Sequence, residues 1–265
     1  MLNNSIKAYL SIISISFKEF LRNISLINGR LFFFTITIVL FYELWSAAYG
    51  VDGHKDNINI SNMVWYIAMT ECGVLSEPYL YSKIEKDIKS GAISYYLLRP
   101  ISYISLRFYE GLGVFLINLP FFWLSGIIIA SFLSYAPFQF SGYFFISYLL
   151  CIMSAILSLL IQLLIGLSAF WLGDVFGLAL IYRKLLYVLG GLLLPLDIYP
   201  EIISKIAYFT PFPWMLYHRA KIIYTHSFED AIKTFAMLLS WSLMCSIALY
   251  FFFKKCNRRI EINGG

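Results

Sequence analysis

Apolar residues fall along this chain in long runs rather than in strand-like alternation. Runs long enough to cross a bilayer as helices, about 20 residues each, occupy 31–49, 62–82, 108–134, 143–168, 176–196 and 232–253. The pattern predicts an all-α polytopic membrane protein, one domain over 1–265 with six transmembrane helices. Six crossings place both termini on one side. Ahead of the first run, Ile6, Leu10, Ile13, Phe17, Leu21 and Ile24 recur at three- and four-residue steps, with Ser, Lys, Glu and Arg between them. This predicts an amphipathic helix over 5–24, either lying in the headgroup plane or packed on the bundle as a leader.

Two stretches between the runs read as structure rather than linker. Lys83 to Lys89 continues the second run, Gly91 suits a helix C′ position, and Ala92–Leu98 forms a second short helix. Pro100 disfavours the α region at Arg99 and stops it. Tyr95, Tyr96, Leu97 and Leu98 are then exposed beside water, to be covered by a membrane surface or by a protein partner. In 190–231, Gly190-Gly191 precedes Pro195, Pro200, Pro211 and Pro213, half of the chain's eight prolines. Irregular backbone at membrane depth is tolerated only where protein buries it or where it lines a cavity. The expected path rises out, turns at Pro195-Leu196-Asp197, and returns as one or two short re-entrant helices. No internal repeat is visible, so the inverted-repeat signature of many secondary transporters is missing.

Composition agrees with the pattern. Hydrophobic residues make up 60%, charged residues 13%, and mean hydropathy is +0.75, which excludes a soluble enzyme, a disordered tail and a disulfide scaffold. Cys72, Cys151, Cys245 and Cys256 form no CxxC and no Cys/His cluster, so neither a disulfide framework nor a zinc site is expected. With the N-terminus inside, 15 Lys and Arg fall on the inner side and 5 on the outer, which orients the chain. His54, His218 and His226 then face outward. The net charge of +5 belongs to inner loops rather than to a nucleic-acid surface. The first long apolar run starts at Leu31, too far in for a signal-peptide n-region. A multi-pass location in the inner (plasma) membrane is expected.

The chain holds no G-x-x-x-x-G-K-[ST] and no G-x-G-x-x-G before a sheet pattern. No enzyme activity and no cofactor are expected on it; energy comes from a gradient or from another polypeptide. Trp171-Leu172-Gly173-Asp174 is not the Gly-x-Gly-Asp of an intramembrane aspartyl protease, and His218 and His226 lack a third metal ligand. Ionisable groups inside apolar runs are costly and therefore informative. Glu43 and Glu71 lie mid-run and either line a translocation path, as a proton relay or otherwise, or hold helices together. Glu77, near the boundary, reads as a polar contact. From Leu185 to Leu196 only 12 residues remain, about 18 Å at 1.5 Å per residue. The fifth helix must start near Phe176, leaving Arg183 and Lys184 in its inner half. They snorkel to the interface, or they line an inward vestibule that attracts an anionic headgroup or a glycan.

Several motifs in order resemble one family. Ser90-Gly91-Ala92-Ile93 followed by Leu97-Leu98-Arg99-Pro100-Ile101 resembles the loop after the second span of ABC-2-type exporter permeases, in a six-span branch. Ala169-Phe170-Trp171 to Asp174 is similar to that branch. So are Gly190-Gly191-Leu192-Leu193-Leu194-Pro195-Leu196-Asp197-Ile198-Tyr199-Pro200, the later Pro211-Phe212, and the closing Arg258-Arg259-Ile260-Glu261-Ile262-Asn263-Gly264-Gly265. The resemblance implies a permease subunit of an exporter, paired with a second copy or a related permease in membrane lipid. Each subunit docks on a separate cytoplasmic ABC ATPase, which carries the ATP and Mg. It implies a coupling helix at 84–98, with Ile88, Gly91, Ala92, Ile93, Tyr96, Leu97, Leu98, Arg99 and Pro100 meeting the ATPase. It makes 5–24 the interfacial helix. It makes 195–228 the outer re-entrant element, with Pro195, Leu196, Tyr199, Pro200, Pro211 and Phe212 as the outer gate. Polysaccharides, glycolipids, peptides and drugs are all substrates in the superfamily, and the resemblance does not choose among them. A gradient-driven transporter or lipid-translocating protein without an ATPase is the competing reading, with Glu43 and Glu71 as its protonatable groups.

Overall fold

The structure, a computed structural model, describes residues 24–49, 60–97, 101–134 and 141–264. The amphipathic stretch expected over 5–24 lies outside them except for its last residue, as do Leu98, Arg99 and Pro100. Every regular element among the described residues is helical: α1 (Ile24–Tyr49), α2 (Ile60–Ser76), α3 (Leu80–Lys89), α4 (Ala92–Leu97), α5 (Tyr103–Leu133) and α6 (Gly142–Leu167) come first. Then follow α7 (Ala169–Leu172), α8 (Phe176–Leu189), a 3-10 turn (Leu196–Ile198), α9 (Glu201–Tyr208), α10 (Phe212–Met215), α11 (Tyr217–Thr225) and α12 (Phe228–Gly264). Among the described residues, four helical stretches are long and apolar enough to cross a membrane: Ile27–Ala48, Tyr103–Leu133, Gly142–Leu172 and Phe228–Cys256.

The other two apolar runs are shorter helices than their length in sequence promised. The run 62–82 breaks: α2 stops at Ser76 and α3 starts at Leu80. A proline disfavours the α region in the residue before it and cannot donate its own N–H, and Pro78 sits in the gap. The backbone groups freed there find partners from three other helices. Arg30 donates to the Leu75 carbonyl (3.1 Å), Asn118 donates to the Ser76 carbonyl (3.3 Å), and the Leu80 N–H donates to Gln162 Oε1 (2.9 Å). A break with this many partners is a built feature. The run 176–196 starts as expected at Phe176 but its helix ends at Leu189, with Gly191 at φ +69° turning the chain. At 14 residues α8 is about 21 Å long.

Helix α6 is the centre of the bundle, packed against α3, α5, α11 and α12, and two thirds of its most apolar window is buried. Helix α2 packs chiefly on α5. By contrast α1 and α12 keep broad apolar faces outward, with Phe32, Leu40, Leu243 and Tyr250 more than half exposed. Such faces are at home in lipid or against another apolar surface. The segment after α8 returns as three short helices, α9, α10 and α11, rather than the one or two expected. Pro200 caps α9, and Pro211 and Pro213 open α10, since proline fits a first turn but not an interior.

Candidate functional site

Two neighbouring features bring together the described coupling-region residues and two of the four candidate path residues, Glu71 and Arg183. The first is an elbow made by α3 and α4. Helix α3 ends at Lys89 with Ser90 as its C-cap, and Gly91 adopts φ +71°, a left-handed conformation that costs glycine nothing. The chain then turns into α4, so the coupling region expected over 84–98 is two helices joined at a glycine, as Gly91 suggested. On α4, Ile93 is buried, Ala92 and Tyr96 are half-buried, and Tyr95 is 75% exposed. Ile88 on α3 is half-buried against the core. The backbone of Leu97 closes α4.

One arginine fixes this elbow. Arg107, in the first turns of α5 and 3% exposed, donates from Nε (2.9 Å) and Nη2 (2.5 Å) to Asp87 Oδ2 on α3. Tyr103 donates to the same oxygen at 2.6 Å. Arg107 Nη1 reaches Glu110 (2.5 Å), which also pairs with Lys83 of α3. The guanidinium lies over the ring of Tyr96 on α4, 4.8 Å from its centroid, and over Tyr103. One side chain therefore touches α3, α4 and α5 together. Charge-assisted and cation–π contacts of this kind gain strength out of water. Nothing in the spacing of Asp87 and Arg107, on either side of a turn, announced the pairing.

The second feature is a cavity of about 930 Å³ between α1, α2 and α8, beside the α2–α3 break. It runs along α1 from Gly29 to Phe41. Arg30, Tyr79, Tyr81 and Arg183 line it near the break; Glu77, Gln162 and Glu71 line its α2 and α6 side; Phe33, Leu40, Leu186 and Leu193 give it apolar walls. Arg30 and Arg183 both stack on Tyr79, at 5.6 and 4.7 Å from its centroid, and Arg183 also donates to the Tyr81 hydroxyl. Gln162 donates to Glu77 (3.3 Å). Glu71 is 5% exposed.

The four candidate path residues thus separate. Glu71 and Arg183 line the cavity. Lys184 is exposed and outside its lining, because a one-residue step on a helix turns the side chain by about 100°. Glu43 is likewise exposed on α1, away from the cavity, although its position in the run looks equivalent to that of Glu71. Arg30, Tyr79 and Tyr81 carried no signal in isolation; they matter only because α1, α3 and α8 converge.

The expected outer-gate residues gather at the opposite end. Pro195, Leu196 and Phe212 are buried, Tyr199 and Pro211 half-buried, and Pro200 exposed. Tyr199 donates to the Val188 carbonyl of α8 (2.9 Å), Tyr66 of α2 donates to the Gly191 carbonyl, and Asp197 accepts from Tyr217 (2.5 Å) and Lys221 (3.1 Å). Arg219, counted by sequence among outer basic residues, is fully buried. It donates to the carbonyls of Met69 (3.0 Å) and Thr70 (3.1 Å) in α2 and of Met215 (2.5 Å). It ties the returning segment to the middle of α2. His218 stacks on Trp214 with ring centroids 4.1 Å apart, and burial pushes its pKa down to about 4, keeping it neutral.

No curated protein and no solved structure matches the chain. A family model described as ABC-2 family transporter protein matches residues 32–264, a stretch that takes in the elbow, the returning segment and the cavity lining apart from Gly29 and Arg30. With apolar membrane-length helices and a match over nearly its whole length, this chain belongs to the ABC-2 transporter family.

Proposed function

We propose that the chain is the transmembrane permease subunit of an ATP-driven exporter. In this reading α1, α2, α5, α6, α8 and α12 are six crossing segments with both termini cytoplasmic. The 17 residues of α2 reach the lower limit for a span, and α8 completes its crossing with the turn that follows. The α3–α4 elbow is then cytoplasmic and is the docking point for a separate ATPase that binds ATP and Mg. The segment 195–228 closes the outer side. A second copy or a related permease, set in membrane lipid, supplies the other wall of the path.

The observation that carries this reading is the elbow. An exposed aromatic tip at Tyr95 is held rigidly to α5 through Arg107 and Asp87, which suits a part that receives force and passes it on. A lipid-facing loop has no use for a buried ion pair beneath it. The chain itself carries no P-loop, so hydrolysis belongs to the partner. Affinity purification of the chain from its native membrane in mild detergent tests this. A stoichiometric P-loop ATPase is expected, and Tyr95→Asp is expected to reduce its recovery about tenfold while leaving the amount of chain in the membrane unchanged. Recovery of the chain without any ATPase refutes the reading.

One observation favours the gradient-driven alternative: Glu71 faces the cavity without a hydrogen-bond or ion-pair partner among the described residues. Glu43, exposed outside the cavity, gives it no support. Uptake driven by a proton gradient alone in vesicles holding only this chain, lost in Glu71→Gln, would establish that alternative.

A further inference from the structure

The cavity between α1, α2 and α8 has a polarity that selects a ligand. Two guanidiniums, Arg30 and Arg183, flank the single ring of Tyr79 at its end beside the α2–α3 break. Neither makes an ion pair among the described residues. Arg183 Nε is buried and has no hydrogen-bond partner. Elsewhere in this molecule a buried guanidinium is satisfied: Arg107 by two carboxylates, Arg219 by three carbonyls. Arg30 and Arg183 are half-buried and hydrogen-bonded to neutral groups only, the Leu75 carbonyl and the Tyr81 hydroxyl, and a guanidinium beside apolar walls with no paired carboxylate favours a bound anion. From the arginines the cavity continues along α1 past Phe33 to Leu40 and Phe41, about 16 Å at 1.5 Å per residue. Its far wall is Leu186, Leu192 and Leu193. A free small anion would leave that length empty.

The geometry points to a binding site for a single anionic amphiphile: a phosphate or carboxylate held between Arg30 and Arg183, with an apolar chain lying along Phe33, Leu40 and Leu193. Guanidinium forks match both oxyanions bidentately. Tyr79 and Tyr81 fix the two guanidiniums by stacking and by the Arg183 hydrogen bond, so little side-chain freedom remains to be lost on binding. Glu77 accepts from Gln162 through Oε2 (3.3 Å) and forms no ion pair with either arginine among the described residues. In the orientation proposed above, Arg30 stands at the cytoplasmic end of α1, so the ligand's head and tail take the same sense as an inner-leaflet lipid. The site names the substrate class within the exporter reading and rests on that reading for its role in transport, though not for binding.

The test is direct binding of tritiated dodecyl phosphate to the full chain in phosphatidylcholine nanodiscs. Unlabelled dodecyl phosphate is expected to compete, whereas inorganic phosphate and dodecyl maltoside are not. Arg183→Gln and Arg30→Gln are each expected to weaken binding about tenfold or more, Arg183→Lys to recover part of it, and Lys184→Gln to leave it unchanged. Leu193→Trp, which narrows the tail wall without touching charge, is expected to weaken dodecyl phosphate more than butyl phosphate. Competition by inorganic phosphate as strong as by dodecyl phosphate overturns the amphiphile, and an equal loss in Lys184→Gln overturns the site in favour of diffuse attraction. A well-folded wild-type chain that binds no dodecyl phosphate overturns it outright. ATPase co-purification is scored separately: binding without an ATPase keeps the site and removes the exporter, and an ATPase without binding does the reverse.

Discussion

Removing either partner of the Asp87–Arg107 pair should cost far more than removing both. Their side chains are 12% and 4% exposed, so solvent screens them little, and three donors converge on Asp87 Oδ2. Breaking a buried pair strands a charge and costs about 3–5 kcal/mol, while replacing both partners with apolar residues is often near neutral. Asp87→Leu leaves Arg107 with Glu110 as its remaining carboxylate, so the lower half of that range, about 3 kcal/mol, is expected. Arg107→Leu strands Asp87 with only the Tyr103 hydroxyl and should reach the upper half. For a chain of this size 1 kcal/mol corresponds to roughly 2–4 °C in Tm, so by fluorescence-detected size exclusion in detergent Asp87→Leu should melt about 6–12 °C lower and Arg107→Leu about 8–20 °C lower. The double variant should melt well above the sum of the two losses, with a coupling of at least about 2 kcal/mol. ATPase recovery should fall in the double variant even though its stability is largely restored, because the tether from α3 and α4 to α5 is gone. Additive stability losses, or a restored double variant that recovers the ATPase fully, would refute the claim that this pair fixes the elbow.

Two glycines permit close approaches that a single methyl group tests. A Cβ on Gly166 of α6 would stand 2.8 Å from the Ile84 Cβ of α3, too close to the main chain to yield. Gly166→Ala should therefore push α3 off α6, lowering stability by about 1–3 kcal/mol and weakening ATPase recovery while outer-side protease sensitivity stays unchanged. A Cβ on Gly73 would stand 2.3 Å from Arg219 Nη2. Gly73→Ala should dislodge the guanidinium from the Met69 and Thr70 carbonyls, cost about 1–3 kcal/mol, and raise protease sensitivity in 195–228 with the elbow unaffected.

The all-helical class, the end of α5, the starts of α6 and α8, and the glycine stop at Gly91 were legible because hydrophobic run length and local backbone preference determine them. The break before α3 was missed: Pro78 lies inside the run 62–82, and the apolar residues on both sides of it read as one span. Helix facing was not legible. Glu43 and Glu71 occupy comparable places in their runs, yet one points outward and the other into the cavity, and only the packing of α1 on α2 decides that. The same holds for Arg183 and Lys184, adjacent in sequence and separated by a third of a helical turn. The Arg107 hub and the Arg219 tether join residues that no local pattern brings together.

The three residues between α2 and α3 have a thermodynamic consequence. Glu77, Pro78 and Tyr79 belong to the cavity lining, and the elbow begins one residue later. Whatever tilts α3 changes the shape of the cavity mouth at once, and whatever fills the cavity resists or assists that tilt. Binding events on the two sides of the break are then linked by one free energy, equal in both directions. If cargo in the cavity strengthens the hold of an ATPase on the elbow by some factor, the ATPase must strengthen the hold on cargo by the same factor. The signal need not traverse the bundle, because the two sites share a wall.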